Sequence, residues 1–510
     1  AILWQVSASP APTDSSDAAR NENAFNAVPG SVTQRPYLAM LALLLGGAGC
    51  STLQQPQGTG PQTAAVQLSD CQQWLHALDD AVAKAGVADV AARRITGFPY
   101  LRVDRFIAAF GEAAGDDSEL REAWVARMHT LNVQGRRVEI ANLPDEAVEQ
   151  LGAGPRENLI SRADECARHM TKADLPDEAA MTLLRKRARV PDDYSAFKRA
   201  IGLYALTGVP FSAGIANWQG KTEQAFSAAR QGQTASHAVV RYIPPADPVM
   251  TRAQVSEILL AAAAEPLGIA RLSEEQRERL FATYAPVLEI ETAREYDRIG
   301  RLFWSRELAL RVDVSAPTVY RNLAYTRVGN RTLLQLVYTV WMPERPRESR
   351  DDMLAGRLDG IVWRVTLAPD GEPVLFDSIH PCGCYHMFFP TPRAVAVPSP
   401  EPYIEWAFSP APLPAVAPAD RILISAQTRT HYLTNVWPAS AAEGVSYVFA
   451  DYDELRTLPL PSGGSRSAFG PDGLIAGTER GERFLSVSYT HLTLPTNRVA
   501  GGGRGGGGGW

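Results

Sequence analysis

IVWRVTLAPDGEPVLFDSIHPCGCYH, residues 361–386, joins a β-hairpin signal to a segment rich in cysteine and histidine. Asp370-Gly371 is a strong two-residue turn signal, because it stands between runs of β-branched and aromatic residues. The turn sets the register of the two strands, with Leu367 opposite Val374. This register gathers apolar side chains on one face of the hairpin, which we expect to lie against the core.

The other face of the hairpin places Arg364 directly across from Asp377. Opposite charges at such a position can form a cross-strand ion pair with no further role. Alternatively, the pair orients a neighbouring histidine or binds an anion, which requires this face to be partly open. The sequence is compatible with both interpretations.

The cysteine loop, residues 380–386, contains two of the five cysteines and two of the eight histidines of the chain. They are His380, Cys382, Cys384 and His386. Thiolate and imidazole groups ligate soft metals or take part in redox chemistry, so these four residues are the candidate site. Their spacing, H-x-C-x-C-x-H, matches neither the C-x2-C pairs of ordinary zinc sites nor the C-x-x-C-H run that attaches haem.

A bend is required before these side chains can act together. A fully extended run over residues 380–386 would span roughly 20 Å, too far for one metal ion to bind both ends. A disulfide between cysteines two positions apart also needs a bend, because its Cβ atoms must be about 3.8 Å apart. Pro381 removes a ladder donor and Gly383 tolerates unusual dihedral angles, so we expect the strand to end near His380 and a loop to follow.

Three interpretations of the cysteine loop follow. In the first, its four cysteine and histidine side chains bind a metal, zinc or copper by ligand softness. In the second, Cys382 or Cys384 forms a disulfide; in the third, both are buried thiols beside a core histidine. If the loop belongs to an enzyme, Asp377, Arg364 or Tyr385 should stand at the wall of a cavity around it.

The composition is that of an ordinary globular protein, with 45% hydrophobic and 21% charged residues in a chain of 510. Such a length is enough for two or three domains. The net charge is −6, and no Lys/Arg-rich run or face stands out. Nucleic acid is therefore not an expected partner.

Residues 1–34 contain no methionine, and we expect them to be upstream translation outside the native protein. Residues 35–50, RPYLAMLALLLGGAGC, carry a basic residue, a short apolar core and small residues before a cysteine. This segment resembles a bacterial lipoprotein signal peptide, which implies that Cys50 is lipidated, with palmitate among the expected acyl chains. The alternative is a secretory signal cut near Ala48.

Membrane attachment is expected through this lipid anchor, because the apolar run is shorter than the roughly 20 residues of a membrane span. Ser51 after the cysteine resembles the sorting signal of outer-membrane lipoproteins in Gram-negative bacteria. The body of the protein would then face the periplasm. Residues 51–67 are rich in Pro, Gly and Gln and are expected to be a flexible tether.

Residues 68–232 are predicted to be helical, with the first helix capped by Ser69 and ended by Gly86. Apolar periodicity places Cys71 and Cys166 on core-facing sides of two of these helices, so an oxidising compartment makes their disulfide reasonable. Four cysteines remain after lipidation, and the sequence does not choose among three pairings. Further helices are predicted at 101–113, 117–131, 155–171, 175–187, 192–205 and 220–230.

Residues 233–485 are predicted to be β-rich and mainly antiparallel, after helices near 251–264 and 273–283. A hairpin is expected over residues 320–342, and further strands at 403–408, 421–427 and 431–437. His431 in the last of these strands, beside Tyr432, is expected to be structural. The fold class is therefore α+β, with a helical N-terminal region followed by a strand-rich C-terminal region.

Residues 486–510 resemble translated sequencing-adapter read-through followed by a glycine-rich end, and we expect this tail to be artefactual. The chain also lacks the phosphate-binding loop, the H-E-x-x-H zinc motif, the dinucleotide-binding glycine motif and the EF-hand loop. The lipoprotein signal, Phe98-Pro-Tyr-Leu-Arg102 and the cysteine loop together resemble uncharacterised proteobacterial lipoproteins of unknown function. The resemblance implies no activity.

Two classes of function follow from the sequence. The first is a membrane-tethered envelope protein that binds a partner or acts as a scaffold, and it is favoured because no complete catalytic constellation is visible. The alternative is a metal- or redox-dependent envelope enzyme that uses His380, Cys382, Cys384 and His386. A cavity around these side chains would favour the enzyme.

Overall fold

The computed structural model describes residues 3–6, 66–152, 154–190, 204–233, 236–347, 352, 355–397, 408–416, 420–439 and 443–478. Cys50, the expected signal, residues 51–65 of the expected tether and the expected tail lie outside these residues. The predicted end of the tether is wrong, because Val66 and Gln67 already belong to the first helix. Within the described part of the chain, no helix is both long and apolar enough to span a membrane.

The helices lie mostly in the N-terminal half of the chain, as predicted. They are α1 Val66–Ala85, α2 Arg105–Ala108, α3 Ser118–Asn142, α4 Asp145–Leu151, α5 Arg156–Asp174, α6 Glu178–Arg187, α7 Tyr204–Arg230, α8 Arg252–Ala263 and α9 Glu274–Tyr284, with 3-10 turns at Ala113–Gly115, Glu295–Asp297 and Tyr452–Thr457.

The strands lie mostly in the C-terminal half, which confirms the α+β class. They are β1 Leu3–Val6, β2 Arg93–Ile95, β3 Phe98–Val103, β4 Val239–Ile243, β5 Val287–Glu291, β6 Arg301–Trp304, β7 Leu310–Asp313, β8 Thr318–Val328, β9 Arg331–Met342, β10 Asp359–Leu367, β11 Pro373–Ile379, β12 Met387–Pro390, β13 Ala394–Val397, β14 Arg421–Ala426, β15 Leu433–Ala439, β16 Val445–Ser446, β17 Val448–Asp451, β18 Leu458–Pro459 and β19 Ser465–Arg466.

Two sheets form the centre of the strand-rich half. The larger has the order β12-β11-β10-β9-β8-β17 and is antiparallel except for the β8–β17 pair. The smaller has the order β15-β14-β5-β4-β16, with parallel pairs at β5–β14 and β4–β16. The strand β1 lies in the segment expected to be upstream translation, and it pairs antiparallel with β13.

The hairpin of β10 and β11 has the predicted register over most of its length, with Arg364 opposite Asp377. The predicted pairing of Leu367 with Val374 is wrong, because a bulge next to the turn pairs Leu367 with Pro373 instead. A bulge beside a tight turn is a common way to match the turn to the twist of the strands.

Helix ends follow local capping signals closely in the second half of the chain. Thr251 and Gln254 form a capping box at the start of α8, and Ser273 and Gln276 form one at the start of α9. In α1 the predicted cap is wrong, because the helix already begins at Val66 and Ser69 lies inside it. The same helix ends before Gly86, which has a φ of 65° as a helix-stopping glycine requires.

The helix predicted at 101–113 is replaced by the hairpin of β2 and β3 and the short helix α2. The strand β3 is stabilised by a contact with a residue distant in sequence. Its fully buried Arg102 donates a hydrogen bond to Glu139 of α3 at 2.6 Å. The helix predicted at 192–205 lies largely outside the described residues.

Helices and sheets share one cluster of buried apolar side chains, which includes Trp74 of α1, Trp124 of α3 and Trp363 of β10. Helices from before residue 232 and strands from after it therefore pack on a common core. A disulfide between Cys71 and Cys166 ties α1 to α5 within that core, with an S–S distance of 2.05 Å. This is one of the three pairings that the sequence allowed.

A buried ionic network stabilises the N-terminal half. Arg94 and Arg102 lie 2.7 Å and 2.6 Å from the two carboxylate oxygens of Glu139, and Arg136 lies 3.2 Å from the same carboxylate. Arg102, Arg136 and Glu139 have fully buried side chains. Burial opposes ionisation of Glu139, but these arginines outweigh it and hold its pKa well below the usual range.

Candidate functional site

The cysteine loop turns sharply after β11, as Pro381 and Gly383 predict. The backbone N–H of Gly383 donates to the carbonyl of His380 at 2.8 Å, and the His380 N–H donates to the Cys384 carbonyl at 3.0 Å. Gly383 has a φ of 90°, a value that glycine adopts without strain. The strand ends at Ile379 and the chain reverses into β12.

The turn does not bring the four expected ligands together. Among the described residues, no group of three or more His, Cys, Asp or Glu side chains is arranged to hold a metal ion. Cys382 and Cys384 are both thiols, with Cys382 buried and Cys384 partly exposed. The geometry therefore offers no set of ligands for zinc or copper at this loop.

Histidines of two loops instead converge on the buried carboxylate of Asp359, the first residue of β10. His380 Nδ1 lies 3.2 Å from one oxygen of Asp359, and His431 Nδ1 lies 2.8 Å from the other. On its opposite side, His431 Nε2 lies 3.3 Å from Asp297. The result is a buried chain of four groups in the order His380, Asp359, His431 and Asp297, which we call the His–Asp chain.

Asp297 also anchors the histidine loop, residues 427–432, which connects β14 to β15. Its carboxylate accepts hydrogen bonds from the Thr428 hydroxyl and the Arg429 backbone N–H, both at 2.7 Å. Burial opposes ionisation of Asp297, but the bonds from His431, Arg429 and Thr428 outweigh it and lower its pKa to about 2.

The charges within the His–Asp chain depend on one another. Burial favours the protonated form of Asp359, but the charge and hydrogen bonds of His380 and His431 outweigh it and hold the Asp359 pKa well below its usual range. Burial likewise disfavours the imidazolium of His431, yet hydrogen bonds to Asp297 and Asp359 raise its pKa. The two carboxylates thus stabilise the imidazolium of His431, which in that form can donate a hydrogen bond to each of them.

His380 ends this chain with a buried ring nitrogen. Only 2% of the residue is exposed, and within the described part of the chain its Nε2 has no hydrogen-bond partner. Since most buried polar atoms are hydrogen-bonded, such an atom calls for an explanation. The indole Nε1 of Trp218 is buried and lacks a partner within the same described residues.

Both nitrogens belong to residues of one aromatic cluster. Tyr385 and Tyr432 have ring centroids 4.4 Å apart, and Trp218 of α7 packs 5.2 Å from Tyr385. His380 meets both tyrosine rings edge-on, at 5.2 Å and 5.9 Å, and Phe408 packs 5.1 Å from Trp218. The tyrosines, Trp218 and Phe408 are partly exposed, so the cluster reaches the surface.

Arg345 supplies a cation to this cluster. Its guanidinium carbon lies 5.0 Å from the centroid of the Tyr432 ring and 5.8 Å from that of Tyr385, and it donates to the Tyr432 hydroxyl at 3.1 Å. These distances are within the range of cation–π contacts. Arg345 is itself buried, which fixes the planar group beneath the rings.

The backbone of the two loops is unusual at the same place. Four non-glycine residues in the described part of the chain have a left-handed φ, namely Leu308, Tyr385, Arg429 and His431. Three of them lie in the cysteine loop or the histidine loop. Bulky side chains avoid this conformation, which costs about 1–2 kcal/mol per residue, so the surrounding contacts must maintain it.

Arg364, Asp377 and His386 form a separate group on the other face of the hairpin. The Arg364 guanidinium donates to Asp377 through Nε at 2.8 Å, and His386 Nε2 lies 2.9 Å from the same carboxylate oxygen. Burial favours protonation of Asp377, but Arg364 and His386 outweigh it and lower its pKa. This geometry fits an ion pair that orients a neighbouring histidine.

A groove of 480 Å³ lies elsewhere, between α8 and α9. Met250, Ile258, Arg271 and Arg279 are among its lining residues, and none of the lining residues belongs to either loop. Its charges are paired in part, since Arg271 lies 2.7 Å from Glu265. The candidate site is therefore the aromatic cluster on the cysteine and histidine loops, and not this groove.

Sequence reasoning placed Tyr385 at the site but missed Trp218, Arg345, Asp297 and Asp359. It expected His431 to be structural, and the structure places that buried residue between Asp359 and Asp297 in the His–Asp chain. The missed residues come from four separate parts of the chain and carry no motif, so no local pattern connects them. A comparison with protein-family models, curated proteins and solved structures found no match for the chain.

Proposed function

We propose that the protein is a ligand-binding protein of the bacterial envelope, tethered through Cys50, that binds its ligand at the aromatic cluster. The main support is that Tyr385, Arg429 and His431 all have left-handed backbones in the two loops that build the cluster. Strained backbone of this kind concentrates at ligand-binding and catalytic sites, where a fixed loop shape is needed before the ligand arrives. Such preorganisation lowers the entropic cost of binding.

The chemistry of the cluster favours a neutral ligand with flat faces and polar edges. Arg345 and His431 both interact with Asp359, and His431 also bonds to Asp297, so these two basic groups already have carboxylate partners. The partly exposed rings provide stacking surfaces, and Tyr385 and Tyr432 carry hydroxyl groups at the edges of their rings. A sugar ring combines an apolar C–H face with hydroxyl edges, and we therefore propose a glycan.

In the envelope, the glycan within reach of a periplasm-facing lipoprotein is the cell-wall polymer. The tether predicted between Cys50 and α1 would allow the folded body to move away from the membrane, because a Gly-rich linker has an end-to-end distance of about 5–6 Å times the square root of its length. Such a tether suits a protein whose lipid anchor lies in the membrane and whose folded body binds the cell wall.

Binding can be tested by co-sedimentation of the mature protein with purified peptidoglycan sacculi. Wild type should sediment with the sacculi, and Trp218→Ala or Tyr385→Ala should reduce the bound fraction at least tenfold. Trp437→Ala is the matched control, because Trp437 is 43% exposed and packs against Arg230 instead. Equal sedimentation of wild type and the Trp218 and Tyr385 variants would contradict the assigned surface.

The tether is tested separately by cell fractionation. The wild-type protein should be in the membrane fraction and accumulate as an unprocessed precursor in the presence of globomycin, which blocks lipoprotein signal cleavage. Cys50→Ala should release the protein from the membrane. If the variant fractionates as wild type does, the lipid anchor is not at Cys50.

A further inference from the structure

The four cysteines of the folded body exist in two chemical states. Cys71 and Cys166 are joined in a disulfide, whereas Cys382 and Cys384 are thiols separated by one residue. We propose that Cys382 and Cys384 form a redox-active dithiol that exchanges with disulfides of other molecules. This activity uses the sulfur atoms of the loop, whereas the proposed glycan binding uses the aromatic rings, so the two are tested separately.

The turn at Gly383 makes closure of this pair feasible. Two cysteines flanking one residue of a regular strand cannot be bridged, because a disulfide needs Cβ atoms about 3.8 Å apart. Here the hydrogen bond from His380 N–H to the Cys384 carbonyl folds the chain back on itself, and Gly383 has a φ of 90°. Without a Cβ atom, Gly383 can adjust its dihedral angles as the two sulfur atoms approach.

The difference in exposure assigns a role to each sulfur. Cys384 is partly exposed and can reach an incoming disulfide, while Cys382 is only 8% exposed and lies behind it. The accessible thiolate is the nucleophile in such exchange, and the buried thiol resolves the intermediate. Cys384 is therefore the attacking residue and Cys382 the resolving residue.

The reaction balances with an organic disulfide, R–S–S–R, as the oxidant. The Cys384 thiolate, having given its proton to solvent, attacks one sulfur; the S–S bond breaks, and the first R–S⁻ leaves and is protonated. The Cys382 thiolate then attacks the Cys384 sulfur, expelling the second R–S⁻, which is also protonated. The protein loses two protons and two electrons in total, and the organic disulfide becomes two thiols.

Oxidation should also be visible in the aromatic cluster, because Tyr385 directly follows Cys384 and has a φ of 59°. Its ring packs 4.4 Å from Tyr432 and 5.2 Å from Trp218. Closing the loop moves the backbone next to Tyr385, so the fluorescence of Trp218 should change with the redox state. Loss of that fluorescence change in Trp218→Phe would assign it to this indole.

The test is a redox titration of the mature protein in mixtures of oxidised and reduced glutathione, followed by alkylation and peptide mass mapping. In wild type, the peptide carrying both cysteines should lose two hydrogen atoms in one transition, while the Cys71–Cys166 peptide stays oxidised. Cys382→Ser should instead trap one glutathione on Cys384. Cys384→Ser should react at least tenfold more slowly than Cys382→Ser.

Two results would overturn the assignment. One is a wild-type loop that keeps both thiols across the whole series; the other is stable glutathione on wild-type Cys384 with no loop disulfide. If either serine variant fails to fold, the wild-type mass map decides by itself. Sedimentation with sacculi is measured in parallel, so loss of the redox activity and loss of glycan binding are separate outcomes.

Discussion

The ionic network around Glu139 and the His–Asp chain are both buried groups of charges, but they differ in chemistry and in support. The network joins arginines to carboxylates on regular elements, with Glu139 in α3 and Arg102 in β3. The His–Asp chain joins histidines on two loops to Asp359 and Asp297. Arginine keeps its proton under all ordinary conditions, whereas histidine exchanges its proton near neutral pH.

This difference separates a cluster of fixed charge from a cluster whose charge can change. The network extends to Arg456, which lies 2.8 Å from Asp89 and so connects the helical half to the C-terminal part of the chain. It has a constant charge and rigid partners. Within the described residues, the His–Asp chain ends at His380 Nε2, which has no hydrogen-bond partner there and lies beside a partly exposed aromatic cluster.

The largest effect is expected from Glu139→Gln, which removes one charge from the network at nearly constant volume. Arg102 and Arg136 would stay buried and charged without that carboxylate, so the free energy of unfolding should fall by about 3–5 kcal/mol. Chemical denaturation measures this change. Asp145→Asn is the matched control, because Asp145 pairs with Arg156 with 85% of its side chain exposed, and a loss there as large as in Glu139→Gln would contradict the distinction.

The disulfide adds a covalent link to the same half of the molecule. Cys71→Ala/Cys166→Ala should lower the free energy of unfolding by about 2–5 kcal/mol, because the bridge closes a loop of 95 residues in the unfolded chain. Thermal unfolding with and without reductant measures the effect. Cys382→Ser/Cys384→Ser should lose less, and a reversed order would show that the cysteine loop contributes more stability than the bridge.

A smaller loss is expected when the His–Asp chain is broken by Asp359→Asn. The cost should be about 1–3 kcal/mol, because His431 can lose its proton when one acceptor becomes an amide, an escape that buried arginines lack. Denaturation at pH 6 measures it against Glu139→Gln under the same conditions. If Asp359→Asn lowers the free energy of unfolding more than Glu139→Gln does, the ability of histidine to lose its proton does not distinguish the two clusters.

The smallest effect is the pH dependence that His431 confers. Its folded pKa is raised above the ordinary value of about 6.5, so its stabilising contribution is complete below that value and is lost as pH rises through the folded pKa. In that window the free energy of unfolding should fall by up to about 1.4 kcal/mol per pH unit. Asp359 and Asp297 are ionised in both states there and add no slope.

Denaturation curves from pH 5 to pH 9 test this dependence. His431→Gln should remove the slope, because glutamine does not titrate, while its amide can still donate to a carboxylate. A wild-type slope that persists in this variant would assign the titration to another group.

Local features of the chain were predictable from the sequence. Asp370-Gly371 predicted the hairpin and its Arg364–Asp377 pairing, and Gly383 predicted the bend in the cysteine loop. Strand alternation, helix periodicity and the end of α1 at Gly86 depend on backbone geometry within a few residues. Such patterns can be interpreted from the sequence without knowledge of the rest of the fold.

Tertiary structure alone decided the pairing of Cys71 with Cys166 and the assembly of the site. His431 is separated from Asp359 by 72 residues and from Asp297 by 134, and no periodicity relates positions so distant. The sequence placed His380 and Cys382 in one loop, but the burial of a carboxylate at Asp359 drew His380 toward a second histidine and away from a metal-binding arrangement with the thiols. Buried charges take the partners that packing brings within hydrogen-bond distance, because leaving a buried charge unpaired costs more than the local sequence preference can offset.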